Sequence, residues 1–446
     1  YPYIHADQHG MTFLPGSSTT FFLGNDGGIF KTTDSGTSWS DLSNGLAITQ
    51  FYRLGTSATN VNRIYAGAQD NGTDRVLNGS WTRIIGGDGM EALIDYSDEN
   101  YGYGELYYGA LKRTTNGGSS FSSITSGIGE DGGWVTPYVM NPVNPHSLYL
   151  GTTKIYKTLN RGTSWTAISD VLNGATFVSL AVAPSDTNTI YASTSSSLYK
   201  TTNNGGAWTS ITAGLPVGSI TYLAVQPNNA QVLYATFSGY SSQKVYKTTN
   251  GGTNWTNIST GLPSIPINCV TVHPTVPNEV WVGTDVGVYH SSTSGNTWEL
   301  FTTNLPNVVV NELEVHLSSS KLRAATYGRG IWETPITVNN TSIAGMKFND
   351  MNGNGVKDAG ETGLLNWRIK ISGAISDSIL TSASGEYMFS NLNAGNYTVS
   401  EVQKSGWTQT APAGGIYSVT LSLGQAVTGR DFGNRPIGNI SGMKFK

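Results

Sequence analysis

The sequence predicts an all-β protein, and three of its features lead to this fold class. Gly contributes 55 of the 446 residues, and only 12% of the residues are Asp, Glu, Lys or Arg. Coiled coils and long surface helices need a much higher charged fraction. Hydrophobic residues make up 38% of the chain and include 11 Trp, 23 Tyr and 13 Phe, which is enough to bury a sizeable core. Short β-branched and aromatic runs bounded by Gly, Asn and Pro recur along the chain, as is typical of strands.

Charge and cysteine content exclude several classes of protein. Twenty-five cations stand against 29 anions without a basic run, so the sequence carries no electrostatic footprint for nucleic acid. No apolar stretch reaches 18 residues, so no membrane span is predicted. Cys269 is the single cysteine, which excludes an internal disulfide and a Cys-based zinc site, and its strand-like surroundings predict a buried side chain. The start at Tyr1 without Met is expected for a mature or trimmed fragment of a longer chain. The low charge, the single Cys and the many Thr, Asn and Gly residues favour a bacterial exported protein.

A repeated eight-residue box organises the first three quarters of the chain. Its pattern is Ser/Thr-x-Asp/Asn/Thr-x-Gly-x-x-Trp/Phe, and a degenerate copy, Asp74 to Trp81, fills the one double gap. The six regular copies are Thr32 to Trp39, Thr114 to Phe121, Thr158 to Trp165, Thr201 to Trp208, Thr248 to Trp255 and Ser291 to Trp298. A period of about 43 residues is the length of a four-stranded propeller blade.

Each repeat contains four strand-like runs, which predicts a β-propeller. The clearest repeat has runs at Ile220 to Pro227, Val232 to Phe237, Lys244 to Thr249 and Trp255 to Ile258. A last unit from Val308 to Thr334 has three such runs, and the segment Tyr1 to His5 could supply its missing strand and close the ring. Eight blades are therefore predicted, with a seven-bladed ring carrying one irregular insertion as the alternative.

The box resembles the Asp-box, or BNR, repeat of sialidases and sortilin-type propellers, over roughly residues 1 to 336. In that resemblance the box is structural. The Asp or Asn oxygen accepts backbone N–H groups of the turn between the third and fourth strands, and the Trp side chain packs between blades. Because the box recurs all round the ring, it marks no single functional site.

Functional residues are expected in the loops that break the repeat. The loops that lead into the innermost strands and those between the second and third strands open on one face of a propeller, which we call the open face. The candidate ligand-binding residues in these loops are His5, Asp7, His9, Asp26, Asp70, Asn71, Asp88, Tyr108, Asp131 and Arg329. The set resembles secreted sortilin-type propellers of Bacteroidota that are described as glycosyl hydrolase-like. The arginine triad of a sialidase cannot be assembled, and a two-propeller xyloglucanase is a poor match to one ring.

Three interpretations of the open face remain. Asp and Asn beside Gly commonly cap turns. The same side chains could bind a glycan or a protein partner. A pair of carboxylates about 5 to 10 Å apart could also hydrolyse a glycosidic bond, although the sequence does not say which acids face each other. Zinc binding by His5, Asp7 and His9 is a further option, because alternate residues of an extended segment lie on one side.

The C-terminal quarter contains a calcium-binding pattern. In the twelve-residue segment from Asp350 to Glu361, Gly355 stands at the sixth position of an EF-hand loop. The predicted ligands are the oxygens of Asp350, Asn352, Asn354, Asp358 and Glu361 and the carbonyl of Val356. The flanks are strand-like rather than helical, so the pattern predicts a β-sandwich braced by Ca²⁺.

The whole C-terminal stretch resembles the Cna-B-like B-type domains of serine-aspartate repeat adhesins. Gly385 to Phe389, Leu392 to Tyr397 and Asp431 to Gly433 carry that resemblance, which implies a stalk unit of a cell-surface protein. Relatives of this fold form isopeptide bonds between Lys and Asn with the help of an acid. Lys347, Glu401 and Asn434 stand at suggestive positions, but strand alternation predicts that Lys347 points outward and Asn434 inward, which disfavours the bond.

Together these patterns predict a propeller over 1–336, a linker over 337–342, a sandwich over 343–436 and the start of a second sandwich over 437–446, where Ile343 to Asn349 is echoed by Ile440 to Lys446. The expected function is binding of a glycan or an extracellular protein by the open face, on calcium-stiffened sandwich repeats. A glycoside hydrolase and a structural component of a surface layer or sheath are the alternatives. An extracellular or cell-surface location is expected.

Overall fold

The chain divides into two compact units, residues 1–336 and 337–446. The computed structural model describes residues 4–301, 304–336, 341–390, 392–422 and 425–438. Both units are all-β, and the helical segments among these residues are two three-residue 3-10 turns, Tyr107–Gly109 and Leu317–Ser319. None of the described helices is long and apolar enough to cross a membrane. The predicted second copy at 440–446 lies outside the described residues.

In its described residues the first unit has eight antiparallel sheets, numbered here in chain order. The first four are β1 (Gln8–Phe13), β2 (Phe21–Asn25), β3 (Gly28–Thr32), β4 (Ser40–Asp41); β5 (Phe51–Thr56), β6 (Arg63–Ala68), β7 (Gly72–Leu77), β8 (Ser80–Ile85); β9 (Ala92–Ile94), β10 (Gly102–Leu106), β11 (Ala110–Thr114), β12 (Ser122–Ser123); β13 (Tyr138–Asn141), β14 (Asn144–Gly151), β15 (Ile155–Thr158) and β16 (Thr166–Ala167).

The other four sheets continue the same up-and-down order. They are β17 (Phe177–Val182), β18 (Ile190–Thr194), β19 (Leu198–Thr201), β20 (Thr209–Ser210); β21 (Ile220–Val225), β22 (Leu233–Phe237), β23 (Val245–Thr248), β24 (Thr256–Asn257); β25 (Ile267–Val272), β26 (Val280–Thr284), β27 (Gly287–Ser291), β28 (Glu299–Leu300); and β29 (Val310–His316), β30 (Lys321–Thr326) and β31 (Ile331–Pro335). The predicted four-strand repeat is therefore confirmed.

The ring closes between the eighth sheet and the second. The Leu54 N–H donates to the Glu312 carboxylate at 2.6 Å, and Asn311 Nδ2 donates to the Phe51 carbonyl at 2.9 Å. Ala325 belongs to the same apolar cluster as Phe51. These contacts place the eighth sheet against the second, where the eight-bladed prediction puts the first sheet; the number of blades stays a prediction, with the seven-bladed ring carrying one insertion as the alternative. The eighth sheet has three strands among the described residues, and Tyr1–Tyr3, the core of the predicted closing strand, lie outside them.

The boxes form the turns between third and fourth strands, as the sequence predicts. In the box at Thr158, the hydroxyl donates to Asn160 Oδ1 at 2.8 Å, and this oxygen accepts the N–H of Ser164 at 3.0 Å. The Trp165 indole donates to the Ile124 carbonyl of the preceding sheet at 2.7 Å. Trp208, Trp255 and Trp298 make the same bond to Ile168, Ile211 and Ile258. Trp39 instead donates to Gly36 in its own box, because no sheet precedes β1–β4 in the described chain.

The second unit is a sandwich of two sheets. Its strands are β32 (Ser342–Asn349), β33 (Arg368–Gly373), β34 (Asp377–Leu380), β35 (Glu386–Phe389), β36 (Gly395–Glu401), β37 (Trp407–Ala411), β38 (Ile416–Leu421), β39 (Ala426–Val427) and β40 (Phe432–Pro436). One sheet has the order β35-β32-β40-β37 with β39 beside β32, and the other has the order β34-β33-β36-β38. Trp367, Ile369, Val399 and Phe432 are buried between them.

Candidate functional site

Loops from the first three sheets bring most of the predicted acidic residues together. The Asp70 N–H donates to Asp88 Oδ1 at 2.5 Å, and Asn71 Nδ2 donates to the Asp26 carbonyl at 2.9 Å. His5 Nε2 lies 3.1 Å from the Asp70 carbonyl. We call Asp26, Asp70, Asp88 and His5 the acid cluster. Asp88 thus has a turn-capping role, which the sequence interpretation allowed as one of its three options.

The carboxylates of the acid cluster are close enough to affect one another's ionisation. Burial raises the pKa of the Asp70 carboxyl, and the charges of Asp88 and Asp26 raise it further. Asp70 adopts a left-handed backbone conformation at φ 57°, which fixes its position at the tip of the β6–β7 turn. The loops therefore hold several acids at short range on one side of the open face.

The predicted trio of His5, Asp7 and His9 assembles differently from the alternation model. Ligand atoms of His5, Asp7 and Asp26 lie within 4.8 Å of one another, and His9 Nε2 contacts Asp26 Oδ1. The pairing register of β1 shifts between Gln8 and Gly10. This irregularity breaks strict alternation at His9, so Asp26 takes the place predicted for that histidine.

An exposed group of three aromatic rings lies on the same face. Tyr107 and Trp134 stack with ring centroids 5.5 Å apart and planes 6° apart, and Tyr108 meets the Trp134 ring edge-on at 5.4 Å. Between 41% and 48% of each residue is exposed. We call these residues the aromatic platform. Only Tyr108 was among the candidate residues, although Tyr107 and Trp134 stand in the loops that the sequence singled out.

A buried glutamate holds the two loops of the aromatic platform together. Glu105 Oε1 accepts the N–H of Gly109 at 2.9 Å, next to Tyr108, and the N–H of Thr136 at 2.9 Å, two residues after Trp134. Burial raises the pKa of Glu105 to about 8 although these hydrogen bonds lower it. Tyr108 has a φ of 63°, an uncommon conformation for a non-glycine residue, which turns its ring toward Trp134.

Hydrogen bonds connect the aromatic platform to the acid cluster. Trp134 Nε1 donates to the Tyr52 hydroxyl at 3.2 Å, and that hydroxyl donates to Gln69 Oε1 at 3.0 Å. The Tyr327 hydroxyl contacts the same Gln69 oxygen. Since Gln69 directly precedes Asp70, aromatic and acidic groups form one continuous surface.

Two predicted residues stand apart from this surface. Arg329 is exposed and its guanidinium donates to the neighbouring Gly328 carbonyl at 2.8 Å, so its contact is local. Asp131 is exposed in the loop beside the aromatic platform, where the following Gly132 N–H donates to the Tyr108 carbonyl at 3.0 Å. The structure gives neither residue a contact with the acid cluster among the described residues.

A buried charged group that the sequence analysis missed lies among the innermost strands. Arg53 Nε is 3.4 Å from Glu91 Oε2, and the Tyr222 hydroxyl donates to Glu312 Oε1 at 3.0 Å. Burial raises the pKa values of Glu91 and Glu312, against the attraction of Arg53. The available signal was a charged residue inside an apolar strand, as in Phe51 to Leu54. Cys269 is buried nearby, as predicted, and burial raises its pKa to about 12.

The predicted calcium loop folds as a compact oxygen-lined turn. Asp350 Oδ1 accepts the N–H of Gly353 at 2.7 Å, and Asp350 Oδ2 accepts the N–H of Gly355 at 2.7 Å. Gly355 has a φ of 78°, as the tight turn requires. Asn352 and Asn354 both contact Asp358 Oδ2 at 2.7 Å. The donor set is oxygen-rich and suits Ca²⁺, although ligand atoms of the three carboxylates are not within 4.8 Å of one another.

The structure overturns the predicted orientation of Lys347. This lysine is fully buried, its Nζ lies 2.8 Å from Glu401 Oε2, and it contacts Asn434 Oδ1. Asn434 Nδ2 donates to Glu401 Oε1 at 2.9 Å. Alternation failed because β32 changes partner, pairing with β35 up to Met346 and with β40 from Lys347, so consecutive residues are buried there.

Comparisons with known proteins agree with this architecture. A family model of sortilin (neurotensin receptor 3) Vps10 type matches residues 153–265, and a model of the SdrD B-like domain matches residues 341–430. No curated protein matches the chain.

Solved structures of similar fold include an ancestral GH74 enzyme with a TM-score of 0.53 and 15% identity, covering 86% of this chain and 64% of that one. The chain thus spans slightly less than two thirds of that enzyme. The GH74 xyloglucanase of Xanthomonas campestris has a TM-score of 0.51 and 14% identity, with 96% and 80% covered. YCF48 of Cyanidioschyzon merolae has a TM-score of 0.50 and 13% identity, with 65% and 96% covered. At these identities the likeness to solved structures shows the fold alone, a β-propeller. The family models add a sortilin-type segment within the propeller and an SdrD B-like domain after it.

Proposed function

We propose that the first unit binds a glycan on its open face, with the aromatic platform as the main contact surface. The observation that carries this proposal is the exposure of Tyr107, Tyr108 and Trp134 as one preassembled group. Sugar rings present apolar C–H faces that pack on aromatic rings, and exposed aromatic residues side by side are uncommon without a partner.

The neighbouring polar groups supply what a platform alone lacks. Sugar hydroxyls need hydrogen-bond acceptors, and Asp70, Asp88 and Gln69 lie on the connected surface. Glu105 holds both platform loops from below, so the rings are placed before the ligand arrives. Preorganisation of this kind lowers the entropic cost of binding. A protein partner is the other class of ligand that such a surface could accept.

The proposal is tested by titrating the full chain with a panel of soluble plant and bacterial polysaccharides. We expect Trp134→Ala and Tyr107→Ala each to weaken binding about tenfold or more, the effect typical of one stacked aromatic contact. Tyr240→Ala is the matched control, because Tyr240 is 77% exposed on the β22–β23 loop but outside the aromatic platform. Binding that is unchanged in both platform variants, or absent from the wild-type chain for every polysaccharide, contradicts the proposal.

A glycoside hydrolase is the second candidate, favoured by the close acids and by the GH74 enzymes among proteins of similar fold. Hydrolysis needs one acid as proton donor and one as base or nucleophile. Incubation of the same polysaccharides with wild type and with Asp7→Asn, Asp70→Asn and Asp88→Asn separates the two functions. New reducing ends that disappear in one of these variants support hydrolysis, whereas binding without new reducing ends supports the glycan-binding function.

We also propose that the second unit is a Ca²⁺-binding spacer of an exported or surface-attached protein. Support comes from the match to the SdrD B-like domain and from the oxygen-lined loop between Asp350 and Glu361. Asp350, Asn352, Asn354, Asp358, Glu361 and the Val356 carbonyl would hold the ion. A rigid spacer would present the first unit away from the surface to which the chain is attached.

A further inference from the structure

His5, Asp7 and Asp26 converge at the junction between the first sheet and the β6–β7 turn. The distance from His5 Nδ1 to Asp7 Oδ2 is 3.5 Å. A tetrahedral ion with bonds of about 2.1 Å separates its ligands by about 3.4 Å, so this spacing is that of two ligands on one ion. His9 Nε2 contacts Asp26 Oδ1, so this histidine is a hydrogen-bond partner of a ligand and is not itself in the group within 4.8 Å.

The orientation of His5 is a second and independent observation. Its Nε2 faces the Asp70 carbonyl at 3.1 Å, so this nitrogen carries the proton and Nδ1 presents its lone pair on the side of Asp7. The Asp7 N–H approaches that lone pair only at 3.4 Å. Histidines that bind metals characteristically donate their other ring nitrogen to a carbonyl or carboxylate, which fixes the tautomer and the ring. His5 is also seated tightly, since a Cβ on Gly27 would lie 2.9 Å from the His5 Cβ.

Among the described residues, no lysine or arginine forms a salt bridge with Asp7 or Asp26. The salt-bridge partners that the structure gives Asp7 and Asp26 are His5 and His9. Asp70 and Asp88 lie next to this group and add negative charge. A divalent cation would neutralise the repulsion between these carboxylates.

The first sheet lacks the apolar attachment of the other sheets. None of the apolar core clusters in the described part of the chain includes a residue of β1–β4, and β1 is exposed along its whole length. Hydrogen bonds join this sheet and the segment before it to the β6–β7 turn at Asp70 and Asn71. An ion here would join His5 and Asp7 before β1 to Asp26 between β2 and β3.

We propose that His5, Asp7 and Asp26 form a binding site for a divalent transition-metal ion of the zinc type, with His9 as the residue that contacts and orients the Asp26 carboxylate. One imidazole nitrogen with two carboxylate oxygens, and water in the fourth position, suits Zn²⁺, Co²⁺ and similar ions, whereas Ca²⁺ prefers all-oxygen sites. Asp7 and His9 are more than 60% exposed, so an ion can enter from solvent.

The test uses the full chain, stripped with a chelator and supplied with excess Ca²⁺ to occupy the C-terminal loop. Co²⁺ is then added as the probe, because its visible absorption reports tetrahedral nitrogen and oxygen ligands. We expect one Co²⁺ per chain, displaced by Zn²⁺. His5→Gln and Asp26→Asn should abolish the signal, and His9→Gln should weaken binding about tenfold or more. His146→Gln is the control for an exposed histidine elsewhere.

His9→Gln also keeps the test decisive if the other two variants fail to fold, because the His9 side chain is 67% exposed and contributes little to packing. Circular dichroism of each variant checks its fold. Absence of stoichiometric Co²⁺ binding to the wild-type chain would overturn the proposal. Equal binding by wild type and His9→Gln would overturn it as well, as would displacement of Co²⁺ by Ca²⁺ alone.

Discussion

The two units are stabilised in different ways. The first unit repeats one interaction, a box tryptophan that donates to the preceding sheet, at Trp165, Trp208, Trp255 and Trp298. The second unit depends on interactions that occur once, the loop from Asp350 to Glu361 and the buried group around Lys347. Repetition distributes stability among similar interfaces, whereas the sandwich concentrates it in a few positions. Changes to single residues should therefore act on different thermal transitions, and the following experiments test that contrast.

The largest expected effect concerns a covalent bond in the sandwich. Burial lowers the pKa of Lys347 to about 8, although Glu401 raises it, so the uncharged amine is accessible near neutral pH. Attack of Lys347 Nζ on the Asn434 side-chain carbonyl carbon would form an amide and release ammonia, with Glu401 positioned to move the proton. We expect an intact mass about 17 Da below the sequence mass. A cross-link that closes the loop from Lys347 to Asn434 should add about 4–5 kcal/mol to the free energy of unfolding, by analogy with a disulfide.

Glu401→Ala should restore the full sequence mass and lower the melting temperature of the sandwich alone. Lys370→Ala changes an exposed lysine on β33 and should keep the mass loss. A wild-type chain with the full sequence mass would show that the three groups stay non-covalent.

The next largest effect is on the ring. Trp165→Ala removes a buried indole and leaves the Ile124 carbonyl without its donor, so we expect a loss of about 3–5 kcal/mol in the propeller transition. Trp39→Ala is the matched change in a box that touches no preceding sheet, and its cost should be about 1 kcal/mol or less. Differential scanning calorimetry measures both; similar losses in the two variants would refute the role assigned to the interface between sheets.

Calcium should act on the sandwich only. An ion that binds the folded form at 100 times its dissociation constant adds about 2.7 kcal/mol, or roughly ten degrees in the melting temperature of a domain of this size. We expect calorimetry in Ca²⁺ and in chelator to move the sandwich transition, and Glu361→Gln to reduce that response. Glu386→Gln, an exposed change in the same unit, should leave it intact. A sandwich transition that ignores the chelator contradicts the calcium assignment.

The smallest effect is the pH dependence caused by Glu105. The pKa of this carboxyl is about 8 in the folded chain against an ordinary value of 4.5. Between these values the folded state holds a proton that the unfolded state has lost, so this residue makes stability fall as pH rises from about 4.5 to 8. Glu105→Gln keeps the Oε1 acceptor but has no group that titrates. At pH 8 the variant should therefore be more stable than wild type by at least about 1 kcal/mol, which is the free energy that corresponds to a shift of one pKa unit. Urea unfolding at pH 5 and pH 8 measures the free energy of unfolding of both proteins. If this free energy changes with pH equally in wild type and in Glu105→Gln, the assigned effect of Glu105 is wrong.

The repeated parts of the molecule were the most predictable from sequence. Box spacing and alternating apolar runs determine local hairpins, so the four-strand repeat follows directly. Ring closure does not, because the packing of Phe51 against Ala325 leaves no periodic signal. The three-residue set of the aromatic platform was incomplete for the same reason: Tyr107 and Trp134 meet only because Glu105 joins their loops. Lys347 was misplaced because alternation assumes one buried face, whereas β32 is covered on both sides there.

The way the ring closes has a kinetic consequence. Neighbouring sheets elsewhere meet through residues close in sequence, such as Leu223 and Ser179, which are 44 positions apart, whereas Leu54 and Glu312 are 258 apart. The seam is the interface where the eighth sheet meets the second. No strand from the beginning of the described chain pairs with β29–β31, and one isolated β-bridge, Gln50 to Tyr327, crosses the seam. Sheets can therefore form one after another as the chain emerges during synthesis, but closure must wait for β29. Until then the flanks around Phe51 and Ala325 stay open to wrong partners, and the seam sets the rate at which the mature ring appears.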